Sequence, residues 1–167
     1  MTACTTITSP LGELLLVGEE TGTGCTLTSL SLPGHRNAPA VRQDVRRDAR
    51  PFAGVARQLD SYFAGELTAF DLEFTPSGTD FQRRVWHAVE EIPYGSTVTY
   101  GALTELLGLP RGRIQAVGAA VGANPVLLVR PCHRVIGADG TMRGYAAGVE
   151  RKVRLLTHEG ALQAPLV

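Results

Sequence analysis

The sequence predicts an α/β N-terminal domain with a small antiparallel sheet, and a mainly α C-terminal domain with a winged-helix-like helix-turn-helix. Three observations predict it. Short apolar runs punctuated by Gly and Thr fill the first part, and helical spacings of apolar residues fill the second. Between them lies Thr75-Pro76-Ser77-Gly78-Thr79, a stretch of turn formers. The expected boundaries are residues 1–75, a linker at 76–79, and residues 80–167. A chain of 167 residues is long enough for one large domain or two small ones.

In chain order, Leu14–Val17 and Cys25–Leu30 read as two strands around the turn-like Glu20-Thr21-Gly22-Thr23-Gly24. Residues 33–51 hold Pro, Gly, Asn and alternating charge, and read as a loop. Phe52–Ala64 places Val55, Leu59 and Phe63 at helical spacing, with Gly65 as a stop. Ala69–Phe74 is expected as a strand. Thr79 or Asp80 can cap a helix to about Glu91, with Phe81, Val85, Trp86 and Val89 on one face. Thr99 caps a short helix through Leu107, Gly108-Leu109-Pro110 breaks it, and a further helix runs from about Arg111 to Ala123. Two helices joined by a three-residue turn containing Gly form a helix-turn-helix signal. The apolar run Val126–Val129 reads as a buried strand. Gly137–Gly140 is a turn, Met142–Gly148 a Gly-rich loop, and Val149, Val153 and Leu156 mark a last helix ending at Glu159-Gly160.

Composition narrows the class. Net charge is zero, but it is unevenly spread. Residues 1–80 carry six Arg against ten Asp/Glu, a balance of −4; residues 81–167 carry nine Arg and one Lys against six Asp/Glu, a balance of +4. A basic half points to a polyanionic partner and to salt-sensitive binding. No apolar run approaches the roughly 18 residues of a membrane span, and no signal sequence is apparent, so no membrane partner is expected. Three cysteines, Cys4, Cys25 and Cys132, lack framework spacing, which points to a reducing, cytoplasmic setting.

The helix after the break has an unusual surface. Ile114, Val117 and Val121 fall at i, i+3 and i+7, which places them toward the core. Opposite them, at about 100° per residue, lie Gly112, Ala116, Ala119 and Ala123. Small residues there let something approach the backbone closely. That is either another helix or a narrow groove, with Arg111 and Arg113 beside it for phosphate. A smooth face suits a minor groove better than a major one.

Chemistry concentrates at Pro131-Cys132-His133-Arg134-Val135. A thiol is a strong nucleophile only as thiolate, and a nearby imidazole can take its proton. Taken alone, the adjacency favours an inert buried cysteine. Glu159 lies about 80° from the Val149 direction, at the edge of the buried face. Taken alone, such a carboxylate reads as a solvated helix end; because the helix dipole disfavours it there, the alternative is that another interaction holds it, pointing inward.

These residues together resemble the O6-alkylguanine-DNA alkyltransferases, the methylated-DNA–protein-cysteine methyltransferases. The likeness rests on Pro131–Val135, Asn124-Pro125, Ile92-Pro93-Tyr94-Gly95 with Tyr100, Gly144-Tyr145 and His158-Glu159-Gly160. It is strong over 80–160 and looser over 1–75, where Ser9-Pro10-Leu11-Gly12 and Tyr62-Phe63-Ala64-Gly65 also match. The resemblance implies minor-groove binding of double-stranded alkylated DNA, flipping of the damaged guanine, and irreversible transfer of its O6-alkyl group to the protein. It implies Cys132 as nucleophile and methyl acceptor, His133 as base through a water, and Glu159 orienting His133. Tyr100 would donate toward guanine N3 and Asn124 would organise the turn. Val135, Gly144, Tyr145 and Ala146 would line the base pocket. Tyr100, Arg111, Arg113, Gln115, Ala116, Ala119 and Arg134 would meet DNA. Each molecule would act once, with no cofactor and no metal, as a monomer for which cooperative assembly on DNA stays open. It would work in the cytoplasm, on the nucleoid.

Three departures stand out. Relatives carry an arginine directly before Ala-Val-Gly on the recognition helix, where it fills the space of the flipped base. Here Gln115 stands there, and the Pro110–Gln115 segment is one residue longer. Either Arg113 substitutes or Gln115 fills the gap less well. Arg130 replaces an apolar residue before Pro131, and Ala146 stands where many relatives have a hydroxyl. Competing readings are a non-catalytic alkylated-DNA sensor, a cysteine hydrolase, and a thiol-based DNA-binding regulator. The retained Cys132 argues against the first, the helix-turn-helix against the second, and the lack of a dedicated resolving cysteine against the third.

Overall fold

The computed structural model of the protein describes residues 1–35, 45–74, 77–140, 142 and 144–162. Residues 36–44 of the expected loop at 33–51, linker residues 75 and 76, and Arg143 of the Gly-rich loop lie outside the described residues. The chain forms two compact units, one of residues 1–77 with 125–129, the other of 78–124 with 130–167.

The first unit is a four-stranded sheet in the order β3-β2-β1-β4, built from β1 (Thr2–Ser9), β2 (Gly12–Thr21), β3 (Gly24–Ser31) and β4 (Arg46–Arg47). The first three strands are antiparallel and β4 runs parallel to β1. The β1–β2 hairpin closes on the pair Ser9↔Gly12, where Gly12 takes φ +114° and the Ser9 hydroxyl donates to its carbonyl. β1 carries almost no apolar alternation, only Ala3 and Cys4 being buried, which is why periodicity missed it. Helix α1 (Ala53–Phe63) buries Val55, Leu59 and Tyr62 in the core of this unit, with Leu14, Leu16, Leu27 and Phe52.

Two expected strands are corrected. Of Ala69–Phe74, Phe74 alone makes a bridge, to Leu27. The Gln58 side chain instead satisfies both backbone groups of Asp71 at 2.9 and 2.8 Å, doing the work of a ladder. Of Val126–Val129, Val126 alone bridges, to Leu30, and Leu128 takes φ +68°. The run is buried as expected, but a left-handed leucine cannot continue a strand. A short apolar run reports burial, not conformation.

The second unit holds α2 (Asp80–Glu90), α3 (Tyr100–Leu106), α4 (Ile114–Gly122) and α5 (Val149–His158). Thr79 closes a capping box with Gln82 at the start of α2, and the Thr99 hydroxyl caps α3 by accepting from Ala102 N–H. Gly108, at φ +70°, makes the turn, and a 3₁₀ turn over Arg111–Arg113 leads into α4. A two-residue parallel pair, β5 (Val98–Thr99) with β6 (Val135–Ile136), ties the start of α3 to the residues after the cysteine motif.

Two helix faces are rotated from expectation. On α4, Val117, Ala120 and Val121 are buried while Ile114 is exposed. On α5, Val149 and Val153 are exposed and the buried residues are Lys152, Leu155 and Leu156. An inward lysine displaces the apolar stripe because its ammonium finds two backbone acceptors, described below.

Candidate active site

The cysteine motif folds as a single 3₁₀ turn, Cys132–Arg134, entered through Pro131. Arg134 N–H donates to Pro131 O and Cys132 N–H to Arg130 O, at 3.0 and 2.8 Å. The turn buries Cys132, His133 and Arg134 together. The Asn124 amide donates to the Cys132 sulfur at 3.3 Å and to Arg130 O at 3.0 Å. Burial pushes the Cys132 thiol up; the Asn124 hydrogen bond, Lys152 and Arg130 each pull it back. The resting group is therefore a protected thiol with thiolate-stabilising partners already in place.

His133 and Glu159, 26 residues apart in the chain, meet with Nε2 to Oε2 at 2.8 Å. A carboxylate only accepts, so Nε2 carries the proton and Nδ1 holds the free lone pair. That Nδ1 is buried and has no hydrogen-bond partner among the described residues. Burial lowers the His133 basicity, and the Glu159 hydrogen bond works in the opposite direction. A neutral imidazole with an open lone pair is a base in waiting. The carboxylate is also gripped by Arg134, from Nε at 2.7 Å and Nη2 at 3.1 Å, so it is not a solvated helix end. Arg134 Nη1 donates to Ile92 O at 2.6 Å, and its plane lies over the Tyr94 ring. Arg134 was expected on the DNA surface; instead it is buried behind the imidazole, where it neutralises Glu159.

Sequence reasoning missed Lys152. It is fully buried, donating to Val135 O at 2.6 Å and Gly144 O at 3.3 Å, with its ammonium 5.8 Å from the Tyr100 ring centre. A signal existed: Lys152 lies three and four residues before Leu155 and Leu156, on their face. Burial pulls its pKa down to about 8, and the nearby Cys132 opposes that shift. Between pH 8 and the unfolded value of about 10.4, the unfolded chain binds the extra proton, so stability should rise with pH. The thiol contributes in the opposite sense. In a Cys132→Ser background, the unfolding free energy should therefore climb from pH 8 to about 9.5. Adding Lys152→Met should flatten that climb, measured by urea titration at each pH.

The other predicted residues divide into two groups. Val135, Tyr145 and Ala146 are buried, and Tyr145 stands edge-on to His133 with ring centres 6.4 Å apart. Gly144 contributes the carbonyl that Lys152 reaches. Burial and the neighbouring Cys132 both raise the Tyr100 pKa, so its hydroxyl keeps its proton at neutral pH. The Tyr100 ring packs on Gly118 of α4, where an added Cβ would lie 3.8 Å away. Arg111, Arg113, Gln115 and Ala119 are exposed and Ala116 half-buried, so this face of α4 is open. Gln115 lines a pocket of about 460 Å³ with Tyr100, Gly101, Ile114 and Gly118. Arg113 instead lies over the Phe81 ring at 5.1 Å. Among the described residues no cluster of three or more His, Cys, Asp or Glu could hold a metal.

A guarded thiol carried in one unit with an open-faced helix-turn-helix defines a class: cysteine-dependent group-transfer proteins built to work on DNA. Residues 2–76 match the family described as 6-O-methylguanine DNA methyltransferase, ribonuclease-like domain, and residues 80–161 match its DNA binding domain. The methylated-DNA–protein-cysteine methyltransferase of Mycolicibacterium paratuberculosis is 47% identical over 154 residues, spanning 92% of this chain and 90% of that protein. The crystal structure of Mycobacterium tuberculosis O6-methylguanine methyltransferase is 44% identical, with a TM-score of 0.85 over 99% of this chain and 96% of that one. Mycobacterium tuberculosis OGT in complex with DNA aligns at a TM-score of 0.83 with 44% identity, covering 95% of this chain and 93% of that one. The chain belongs to the 6-O-methylguanine DNA methyltransferase family.

Proposed function

We propose that this protein repairs alkylated DNA by direct reversal, moving an alkyl group from O6 of a flipped guanine to its own Cys132. The observation that carries this reading is the Cys132 sulfur held by Asn124 beside a buried His133–Glu159 pair, in a chain of this family. The Sγ–carbon bond forms as the O6–carbon bond breaks, and that electron pair stays with the base. The thiol proton passes through a water to His133 Nδ1, and Tyr100 donates a proton toward guanine N3, so the base leaves neutral. Lys152 and Asn124 stabilise the thiolate on the way. Attack on an sp³ carbon gains most from proximity, which the pocket supplies after extrusion of the base at a cost of a few kcal/mol. The thioether is stable, so each molecule acts once, as a monomer on DNA in the cytoplasm.

The exposed surface of α4, with Arg111 and Arg113 beside it, is the minor-groove reader of this proposal. Gln115, which borders the Tyr100 pocket, takes the space of the flipped base, and Arg113 on Phe81 contacts phosphate. Accordingly Gln115→Ala should slow transfer about tenfold with little change in duplex affinity, a loss of about 1.4 kcal/mol in the transition state. Arg113→Ala should weaken duplex binding and lower its salt dependence by about one phosphate contact. Anisotropy titrations and single-turnover rates separate the two; the reverse pattern would assign Arg113 to the gap.

The test of the whole reading is direct. After incubation with a duplex containing O6-methylguanine, intact mass and peptide mapping should show one methyl group, on Cys132. Unmodified protein that stays bound to the duplex would establish the sensor reading instead.

A further inference from the structure

We propose that Arg130 is a positioning residue for the transfer step: through Asn124, its guanidinium holds an amide N–H against the Cys132 sulfur. Arg130 directly precedes Pro131, through which the chain enters the nucleophile turn, and is buried. Its Nη1 donates to Asn124 Oδ1 at 3.2 Å. The Asn124 Nδ2 on the other side donates to Arg130 O and to the sulfur.

The orientation of that amide follows from donor and acceptor chemistry. Guanidinium has donors and no acceptor. A flipped Asn124 would set its own NH₂ against the guanidinium and its oxygen against the sulfur. Two donors would then clash on one side, and on the other the amide oxygen would face the Arg130 carbonyl and, once the thiol proton has left, the thiolate. With Arg130 in place, the amide has one satisfactory orientation, and it is the one that stabilises a thiolate.

Arg130 is itself held from two further sides. Its guanidinium lies over the Trp86 ring at 4.5 Å, and the Trp86 indole N–H donates to Ala120 O at 2.7 Å. The Glu90 carboxylate stands 3.8 Å from its Nε. Burying a cation is expensive, and an apolar side chain at this place would be the cheaper way to fill it. A cation kept here therefore points to what it does for its neighbours. Its charge also acts directly on Cys132, opposing the effect of burial.

This inference rests on Cys132 being the alkyl acceptor. The experiment is the pH profile of single-turnover transfer from an O6-methylguanine duplex, with the methyl located by peptide mapping. For R130M, the inflection should move up by about one pH unit, lowering the rate at neutral pH about tenfold and leaving it within about twofold of wild type at high pH. R130Q, which keeps an N–H donor for Asn124 and loses the charge, should move the inflection up by less; it carries the test alone if R130M does not fold. In an Asn124→Ala background, R130M should move the inflection by clearly less than it does in the wild type, the remainder being the direct action of the lost charge on Cys132.

A rate reduced by one factor at every pH, with the inflection unmoved, would show a merely structural role and overturn the assignment. An undiminished shift of R130M in the Asn124→Ala background would overturn action through Asn124. Wild-type protein that gains no methyl group would defeat the function proposed above. Methylated wild type with an unmoved R130M profile defeats only the role of Arg130.

Discussion

Glu159→Gln is expected to cost about 3–5 kcal/mol of folding stability, the usual consequence of breaking a buried ion pair from one side. The carboxylate accepts from His133 Nε2 and twice from Arg134, and all three residues are buried. A glutamine offers one acceptor oxygen where these donors need two, and its NH₂ would face one of them. Arg134 would then hold an uncompensated buried charge. Transfer should also slow, by roughly 10²–10⁴ at conditions where the variant is folded, because the imidazole loses the partner that sets its tautomer. Urea unfolding at constant m-value reads the first effect and single-turnover transfer the second. A variant with wild-type stability would mean that the carboxylate is not held as the structure shows it.

Cys132→Ser is expected to abolish alkyl acceptance altogether while leaving folding stability within about 1 kcal/mol. The hydroxyl can still accept from Asn124 Nδ2. It is nonetheless a weak nucleophile, because an alcohol is far less acidic than a thiol and the His133 base that serves the thiol leaves it protonated. Duplex affinity should stay unchanged, since the exposed α4 residues do not depend on the sulfur. Intact mass after prolonged incubation and an anisotropy titration together give the result. A methyl group gained by the variant would move the acceptor elsewhere, with Cys4 and Cys25 as the remaining thiols.

Much of this molecule could be read without coordinates, and the reason is local in each case. Thr79 with Gln82, and Thr99 before α3, announce helix starts because caps act within three residues. The helix-turn-helix is legible because apolar spacing and Gly108 mark its parts. Glu159 was legible in a different way. Its misfit with the helix dipole pointed to a partner against the plainer reading of a solvated helix end, and Arg134 and His133 hold it. Strand β1 escaped because it lacks the alternation that a half-buried strand writes into a sequence, and Val126–Val129 was misread as a strand because an apolar run reports burial and not conformation.

The amino-acid sequence alone determined the helices of the second unit, the thiol–imidazole adjacency and the family, since these depend on residues close together or on motifs with set spacing. The tertiary structure alone decided where the charges go. Arg134 turns inward to Glu159, Lys152 reaches Val135 and Gly144, and Arg130 lies between Trp86 and Asn124. Sequence patterns treat an arginine or lysine as a surface residue, because burying an unpaired charge costs too much. Whether a charge is paired depends on groups far away in the chain, and only the folded molecule brings them within hydrogen-bond reach.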